Sequence, residues 1–153
     1  GMQIPMWEKL KETVMYLKSK GHRVDGIGWQ GHLMNNQGLK QFVENLDEEL
    51  KKLSDLIDWA HSNNLEFHIT ELDYYNDGEN NILNSVKKQA EVYQKLMNLF
   101  KEKSKNGLVT VNFWSMGERK SSRGKKGHYM SIYDNDTIPT KTYEVVKNFI
   151  NFN

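Results

Sequence analysis

Apolar residues recur at intervals of three and four along four segments of the chain, which is the spacing of one face of an α-helix. The segments cover residues 7–17, 42–60, 86–100 and 143–150. Gly21 follows the first segment and is suited to end a helix there. Asn106-Gly107 follows the third, where we expect a left-handed cap. The pattern therefore predicts four amphipathic helices, each with one face in a core.

Between the helices lie three segments rich in β-branched and aromatic residues, which is typical of strands. They cover residues 24–29, 65–73 and 108–114. A polar loop over residues 115–127 and a short extended piece over 129–133 precede the last helix. Strands that alternate with helices pair in parallel through crossover connections. The predicted class is therefore α/β.

Composition limits what the chain can be. Its 153 residues suffice for one domain, and we expect residues 1–153 to form a single one, with Gly1 before Met2 interpreted as a remnant of expression. A net charge of +1 gives no reason to expect nucleic acid as a partner. No apolar run reaches the ~20 residues that span a bilayer, so no membrane partner is expected either. The sequence has no cysteine, which excludes a thiol nucleophile.

Gly26, Gly28 and Gly31 form a literal G-x-G-x-x-G, the fingerprint of a dinucleotide site. That site needs an apolar strand before the first glycine and a helix that begins at the last one. Here a polar stretch precedes Gly26, and the loop-like residues 32–38 follow Gly31. The sequence therefore argues against a dinucleotide, and we expect no cofactor.

The residues at the ends of the three strands are chemically more informative. In parallel α/β folds, functional groups gather at the carboxyl ends of the strands. Here these ends carry a distinct set of side chains, namely Gln30 and His32, Glu71 and Asp73, and Trp114. Because alternate residues of a strand share a side, we expect the members of each pair to face the same way. Carboxylates, an imidazole, an amide and an indole on one rim suit carbohydrate chemistry.

Two other interpretations of these residues stay open at this point. A lone glutamate at a strand end is often a solvated edge residue, and a lone tryptophan there is often part of the core. Alternatively, His32, His68, Glu71 and Asp73 form a metal cluster, although no regular ligand spacing joins them. We therefore predict no metal.

Three motifs, in this order and at these intervals, resemble the C-terminal part of glycoside hydrolase family 10. They are DGIGWQGHL over residues 25–33, ITELD over 69–73 and VNFWS over 111–115. The segment Pro139-Thr140-Lys141-Thr142-Tyr143 is similar to the family's P-K-P-A-Y. The family consists mainly of endo-1,4-β-xylanases. The resemblance implies a partial TIM barrel, comprising about the last three βα units and a preceding helix.

The resemblance also implies roles for the strand-end residues in a retaining mechanism. Glu71 would be the catalytic nucleophile, His32 would hydrogen-bond it, and Asp73 would hold the imidazole. Gln30 would line the site near the acid/base residue, and Trp114 would form a platform beneath the sugar. Xylan or a xylo-oligosaccharide would be the substrate, and the protein would act outside the cell.

The sequence departs from the family in its last motif and in its length. Where the family has W-G-x-x-D-x-x-S-W, Ser115 follows Trp114, Glu118 stands at the aspartate and Ser122 replaces the second tryptophan. A full barrel takes about 250 residues, and the family's acid/base motif W-D-x-x-N-E has no counterpart here. Glu79 and Glu118 are other carboxylates in loops, but the family gives them no such role.

These departures shape the expected function. The chain is predicted to be a fragment of an endo-1,4-β-xylanase-like hydrolase, weak or inactive alone because a retaining glycosidase needs two carboxyl groups. The alternative is a non-catalytic half-barrel that binds carbohydrate or self-associates. An incomplete barrel has unpaired strand edges, so the expected protein partner is a second copy in a homo-oligomer, or the missing N-terminal half.

Overall fold

The computed structural model describes residues 4–33, 37–76, 86–114, 119–120, 128–130, 132–133 and 138–150. Helices and strands alternate through most of these ranges. In chain order they are α1 (Ile4–Ser19), β1 (Gly26–Trp29), β2 (His32–Leu33), α2 (Gln37–Glu44), α3 (Leu46–Ser62), β3 (Glu66–Asn76), α4 (Val86–Lys103), β4 (Val109–Phe113), β5 (Arg119–Lys120), β6 (His128–Met130) and α5 (Lys141–Ile150).

β3 is the centre of the sheet. β1 and β2 pair with it in parallel on one side, and β4 pairs with it in parallel on the other. The predicted parallel pairing is therefore correct, and the strands lie side by side in chain order. Because all these strands point the same way, their carboxyl ends meet at one edge of the sheet, as the sequence predicts for the functional groups.

One face of the sheet is covered by helices and forms the core. α3 contacts β3, and α4 contacts β4, α3 and α5. The most deeply buried side chains come from these elements and include Leu53, Ile57, Phe67, Ile69, Leu96 and Phe100. Burying one such side chain contributes about 1.5–3 kcal/mol. This packing holds the carboxyl ends of the strands in fixed positions.

The opposite face of the sheet carries small and polar residues. An added Cβ at Gly26 would meet the side chain of His68, and one at Gly28 would meet that of Thr70. His68 in turn contacts Thr110 on β4. In a closed barrel this face would point toward the axis. Within the described ranges, β1 and β4 each pair with β3 alone, so the sheet has two open edges.

The helices differ from the sequence prediction in two details. The predicted helix over 42–60 is divided at Asn45 into α2 and α3, although the Asn45 amide still donates to the carbonyl of Gln41. The left-handed cap expected at Asn106-Gly107 is wrong, since the residues with a positive φ in the described ranges are Gly21, Gly31 and Asn64. Glycine is required at position 107 for steric reasons, because a Cβ there would lie 2.5 Å from the ring of His61.

A short antiparallel extension continues the sheet from the last residues of β3. Residues Tyr74 to Asn76 of β3 pair with β6, which pairs in turn with β5. The extended piece predicted over 129–133 corresponds to β6 and to a bridge between Tyr133 and Pro139. The sequence Asn76-Asp77-Gly78 predicts a turn; Asn76 is the last residue of β3, and Asp77 and Gly78 lie outside the described residues. In the part of the chain that the structure describes, no helix is long and apolar enough to cross a membrane.

Candidate active site

Gly31 interrupts the first parallel strand directly before the candidate histidine. Its φ of +80° lies in the left-handed region, which glycine adopts without strain. A Cβ there would also lie 3.2 Å from Cγ2 of Ile69 and 3.3 Å from Cδ1 of Leu72. β2 resumes the strand after this break, and His32 pairs with Asp73 on β3. The glycine therefore brings the imidazole beside the end of β3.

The glycine motif is thus part of a strand and not a phosphate-binding turn. Gly26 and Gly28 lie inside β1, and the chain continues from Gly31 into β2 without opening a helix. This arrangement lacks the helix N-terminus that binds a pyrophosphate. The geometry agrees with the sequence argument against a dinucleotide site.

A bulge in β3 orients the two candidate carboxylates. The register of β3 against β4 shifts between Ile69 and Leu72, which is the signature of an extra residue in one strand. Because of the shift, Ile69 and Leu72 both lie in the core although they are three residues apart. Glu71 and Asp73, on either side of Leu72, project away from that core toward the rim.

His32 links these two carboxylates. Its Nδ1 lies 3.0 Å from Oδ1 of Asp73, and its Nε2 lies 3.1 Å from Oε2 of Glu71. Backbone bonds hold the same residues: the Glu71 amide donates to the Gln30 carbonyl at 2.9 Å, and the Asp73 amide donates to the Gly31 carbonyl at 3.4 Å. The three side chains therefore form a continuous hydrogen-bonded series across two adjacent strands.

The hydrogen bonds limit how many protons the side chains of Glu71, His32 and Asp73 share. An ionised carboxylate only accepts, so each ring nitrogen of His32 must donate when both carboxyl groups are ionised. A neutral imidazole has a single N–H. Either His32 is an imidazolium, or one of the two carboxyl groups carries the additional proton. When the additional proton lies on His32 or on Asp73, Nε2–H of His32 donates to an ionised Glu71 in a charge-assisted hydrogen bond.

Burial makes the two carboxylates unequal. The Asp73 side chain is 4% exposed and that of Glu71 is 26% exposed. Burial raises the pKa of Asp73, the hydrogen bond and charge of His32 oppose that rise, and the charge of Glu71 adds to it. Asp73 is therefore the buried end of this hydrogen-bonded series, and Glu71 is the end that a substrate can reach.

Trp114 and Gln30 lie at the same rim. Trp114 follows β4, its amide donates to the Leu72 carbonyl at 3.1 Å, and its ring meets His32 edge-on at 6.0 Å between centroids. The tryptophan is 58% exposed, which leaves much of the indole open to a ligand. Gln30 is also exposed, and its side chain makes no hydrogen bond to any described residue. The structure thus joins four of the five predicted site residues through side-chain contacts.

The metal interpretation finds no support in this geometry. His68 contacts Thr110 and Glu66 near the other end of β3, away from His32. Among the described residues, no group of three or more histidine, aspartate or glutamate side chains is placed to hold a metal ion. Glu79 and Glu118 lie outside the described residues.

Among the described residues, the rim supplies one accessible carboxylate, that of Glu71, of the two that a retaining glycosidase requires. Asp73 cannot be the second, because it is buried on the far side of the imidazole. The burial of Gln89 on α4, one turn before the buried Tyr93, was not predicted from the sequence. The signal available was a glutamine one turn before a tyrosine on an otherwise apolar helix face.

Known proteins resemble this chain over most of its length. Endo-1,4-beta-xylanase A of Thermoanaerobacterium saccharolyticum is 33% identical over 112 residues, 72% of this chain and 8% of that protein. Exoglucanase XynX of Acetivibrio thermocellus is 31% identical over 112 residues, 72% of this chain and 9% of that protein. The crystal structure of xylanase 10B from Thermotoga petrophila RKU-1 in complex with xylobiose matches with a TM-score of 0.65 and 25% identity.

That match covers 93% of this chain and 41% of the xylanase chain, so the chain spans less than half of the structure it resembles. The fold is accordingly a partial (β/α)8 barrel, as the sequence resemblance implied. The sequence also matches the model of glycosyl hydrolase family 10 over residues 5–149, nearly the whole of its length. The chain therefore belongs to glycosyl hydrolase family 10.

Proposed function

We propose that the chain carries the nucleophile half of a retaining endo-1,4-β-xylanase site, with Glu71 as the nucleophile. The observation that supports this most is the series of hydrogen bonds that joins the side chains of Glu71, His32 and Asp73. It presents one partly exposed carboxylate whose orientation is fixed by an imidazole, and that imidazole is anchored by a buried carboxylate. Such an arrangement suits a group that must be ionised and correctly aimed.

In this mechanism an oxygen of Glu71 attacks the anomeric carbon, and the glycosidic bond breaks as a glycosyl ester forms on the enzyme. A general acid protonates the departing oxygen. Water then attacks the anomeric carbon and gives a proton to the conjugate base of that acid, and Glu71 leaves as a carboxylate. The Nε2 of His32, which contacts Oε2 of Glu71, stabilises the negative charge on that carboxylate before attack and after release.

The remaining rim residues would bind the sugar. The open indole of Trp114 offers an apolar surface on which the C–H face of a sugar ring stacks. The Gln30 side chain, which extends from the strand break beside Glu71, has an amide that can donate to and accept from sugar hydroxyls. A substrate between them would place its anomeric carbon near Glu71.

The isolated chain should be a weak catalyst of xylan hydrolysis. General acid help contributes about 10²–10⁴-fold in rate, and no described carboxyl group is placed to give it. A substrate with a good leaving group depends much less on that help. Aryl glycosides such as dinitrophenyl xylobioside therefore separate the nucleophile's contribution from that of the missing acid.

The decisive experiment is covalent trapping of the nucleophile. Incubation with 2,4-dinitrophenyl 2-deoxy-2-fluoro-β-xylobioside should leave a fluoroxylobiosyl group on Glu71, detected by mass spectrometry of peptides. Glu71→Gln should abolish the label. Glu66→Gln is the matched control, since Glu66 lies on the same strand but contacts His68, and it should keep the label. A label on another residue, or one that survives Glu71→Gln, would reject the assignment.

The identity of the glycan is tested by comparing two sugars in the trapping reagent. Since one relative is an exoglucanase, the trapping reagent is prepared in both the xylobiosyl and the cellobiosyl series. Faster labelling by the xylobioside supports xylan as the substrate. Equal or faster labelling by the cellobioside would assign the site to a β-1,4-glucan instead.

A second candidate function, self-association of the half-barrel, is supported by the open strand edges and by exposed apolar side chains. Among the described residues, β1 and β4 each pair with β3 alone, and large apolar side chains exposed to solvent include Met6, Met15 and Tyr16 on α1 and Ile150 on α5. A partner that pairs with these edges would satisfy their backbone groups. We expect size-exclusion chromatography with light scattering to show a dimer that Met15→Lys weakens, and a monomer would contradict this proposal.

A further inference from the structure

Asn112 occupies a position on β4 that does not call for an asparagine. It lies between Val111 and Phe113 inside the strand, and asparagine is depleted in strands relative to β-branched residues. Its side chain is exposed and makes no hydrogen bond to any described residue. Among the residues that the structure describes, the amide therefore has no structural partner that explains its presence.

The neighbours of Asn112 on β4 fix the direction of its side chain. Phe113 stacks on Tyr93 of α4, with 6.2 Å between ring centroids, so Phe113 points to the face that the helices cover. Thr110 contacts His68 on the opposite face, which is open. Because side chains alternate along a strand, Asn112 points to the open face, as Thr110 does.

The bulge in β3 places Asn112 beside the candidate nucleophile. The register of β3 against β4 shifts between Ile69 and Leu72. Asn112 is the single β4 residue opposite this shift, and Thr70 and Glu71 are the two β3 residues there. Paired strands lie about 4.8 Å apart, and the Glu71 side chain also projects away from the core. Asn112 and Glu71 are therefore neighbours on the open face.

Trp114 completes the surroundings of this amide. It follows Asn112 by two residues, about 7 Å along the strand, and its ring meets that of His32 at 6.0 Å between centroids. Asn112 thus lies directly below the indole, on the same side of the strand. A sugar that stacks on Trp114, with its anomeric carbon near Glu71, would rest over the Asn112 amide.

We propose that Asn112 is a sugar-binding residue that forms the floor of the site and hydrogen-bonds a hydroxyl of the xylosyl ring beside Glu71. An amide offers both N–H donors and a carbonyl acceptor, which are the groups that a sugar hydroxyl can pair with. Trp114 binds the apolar face of the ring, and Asn112 limits how the ring turns on that platform. The inference rests on the proposed function, since it takes the sugar to lie beside Glu71.

Titration of the full ¹⁵N-labelled chain with xylobiose tests the floor contact. The side-chain NH₂ resonances of Asn112, assigned by their loss in Asn112→Val, should shift as xylobiose binds. Asn112→Val should raise the Kd for xylobiose by about three- to tenfold, which corresponds to the loss of one hydrogen bond. Valine is favoured in strands, so weaker binding by this variant would not result from a weakened fold.

Thr110→Val is the matched control. It removes a polar group from the same face of the same strand, but at the position that contacts His68 rather than the rim, and it should leave the Kd for xylobiose unchanged. Side-chain resonances of Asn112 that do not shift with xylobiose would overturn the inference. Equal affinities of Asn112→Val and the unsubstituted chain would also overturn it.

These measurements need no turnover, so they separate the floor contact from the role of Glu71. If the Asn112 amide shifts and Asn112→Val binds more weakly, but trapping leaves Glu71 unlabelled, the floor contact stands and the nucleophile assignment fails. If Glu71 is labelled but the Asn112 amide does not respond to xylobiose, the nucleophile assignment stands and the floor contact is rejected.

Discussion

β3 carries a histidine network near each end, and the two networks differ in what they demand of the histidine. At the carboxyl end, His32 contacts the carboxylates of Glu71 and Asp73 at 3.1 and 3.0 Å. Near the amino end, Nδ1 of His68 lies 2.8 Å from the Thr110 hydroxyl and Nε2 lies 3.2 Å from the carboxylate of Glu66. We refer to them as the carboxyl-end and amino-end networks.

The amino-end network is satisfied by a neutral imidazole. A hydroxyl both donates and accepts, so Thr110 can donate to Nδ1 while Nε2–H donates to Glu66. Glu66 is 48% exposed, and water shares the solvation of its charge. The carboxyl-end network has two acceptor-only partners, one of them buried, and it must hold an extra proton. A histidine beside a carboxylate does not by itself indicate a functional site. The two networks differ in how many partners of the histidine can only accept hydrogen bonds and in how deeply those partners are buried.

Removing each histidine should have very different effects. His32→Ala leaves the buried Asp73 without its hydrogen-bond partner, which should lower the free energy of unfolding by about 3 kcal/mol. His68→Ala leaves Glu66 in contact with water and should cost about 1 kcal/mol or less. Urea denaturation at neutral pH measures both. Equal losses of unfolding free energy would mean that the burial of Asp73 does not make the carboxyl-end network more important for stability than the amino-end network.

The strand break can be altered without touching any charged group. Gly31→Ala adds left-handed strain and crowds Ile69 and Leu72, which should cost about 2–3 kcal/mol. Gly21→Ala is the matched control, because Gly21 has the same φ of +80° but no atom within 4 Å of an added Cβ, and it should cost about 1 kcal/mol. Thermal denaturation compares them. Similar losses would show that the contacts to Ile69 and Leu72 are unimportant.

The smallest expected effect is on the pH dependence of stability. Because the pKa of Asp73 is raised above its ordinary 3.8, the folded protein binds this proton more tightly than the unfolded chain does. The contribution of Asp73 to stability is therefore greatest below pH 3.8 and falls as the pH rises through the folded-state pKa.

Asp73→Asn should remove that fall, because asparagine does not titrate. Glu66→Gln, in the amino-end network, should leave it unchanged. Unfolding curves collected across the acidic range test this difference. A fall that persists in Asp73→Asn would assign it to another group.

The sequence predicted the order of the elements and the strand-end residues because both depend on local pattern. Periodicity locates a helix face such as that of Val92 and Leu96, and strand ends follow from where apolar runs stop. The same reasoning placed His32 and Glu71 on neighbouring strands, and the structure joins them. Their catalytic roles remain predictions.

What the sequence did not predict depends on contacts between distant residues. Simple alternation cannot place a bulge between Ile69 and Leu72, since the extra residue is defined only by pairing with β4. The need for Gly107 comes from the ring of His61, 46 positions earlier. The burial of Gln89 on α4 was also not predicted, because glutamine usually lies on the exposed face of a helix.

The location of the carboxyl-end network on two adjacent strands has a consequence for recombination. His32, Glu71 and Asp73 come from β2 and β3 of one contiguous segment, and their hydrogen bonds need no residue from outside the described ranges. A crossover between this segment and the rest of a barrel would keep Glu71, the proposed nucleophile, together with the groups that orient it. Exchange of this segment between family members should therefore preserve the alignment of Glu71 by His32, independently of the residue that activates the leaving group.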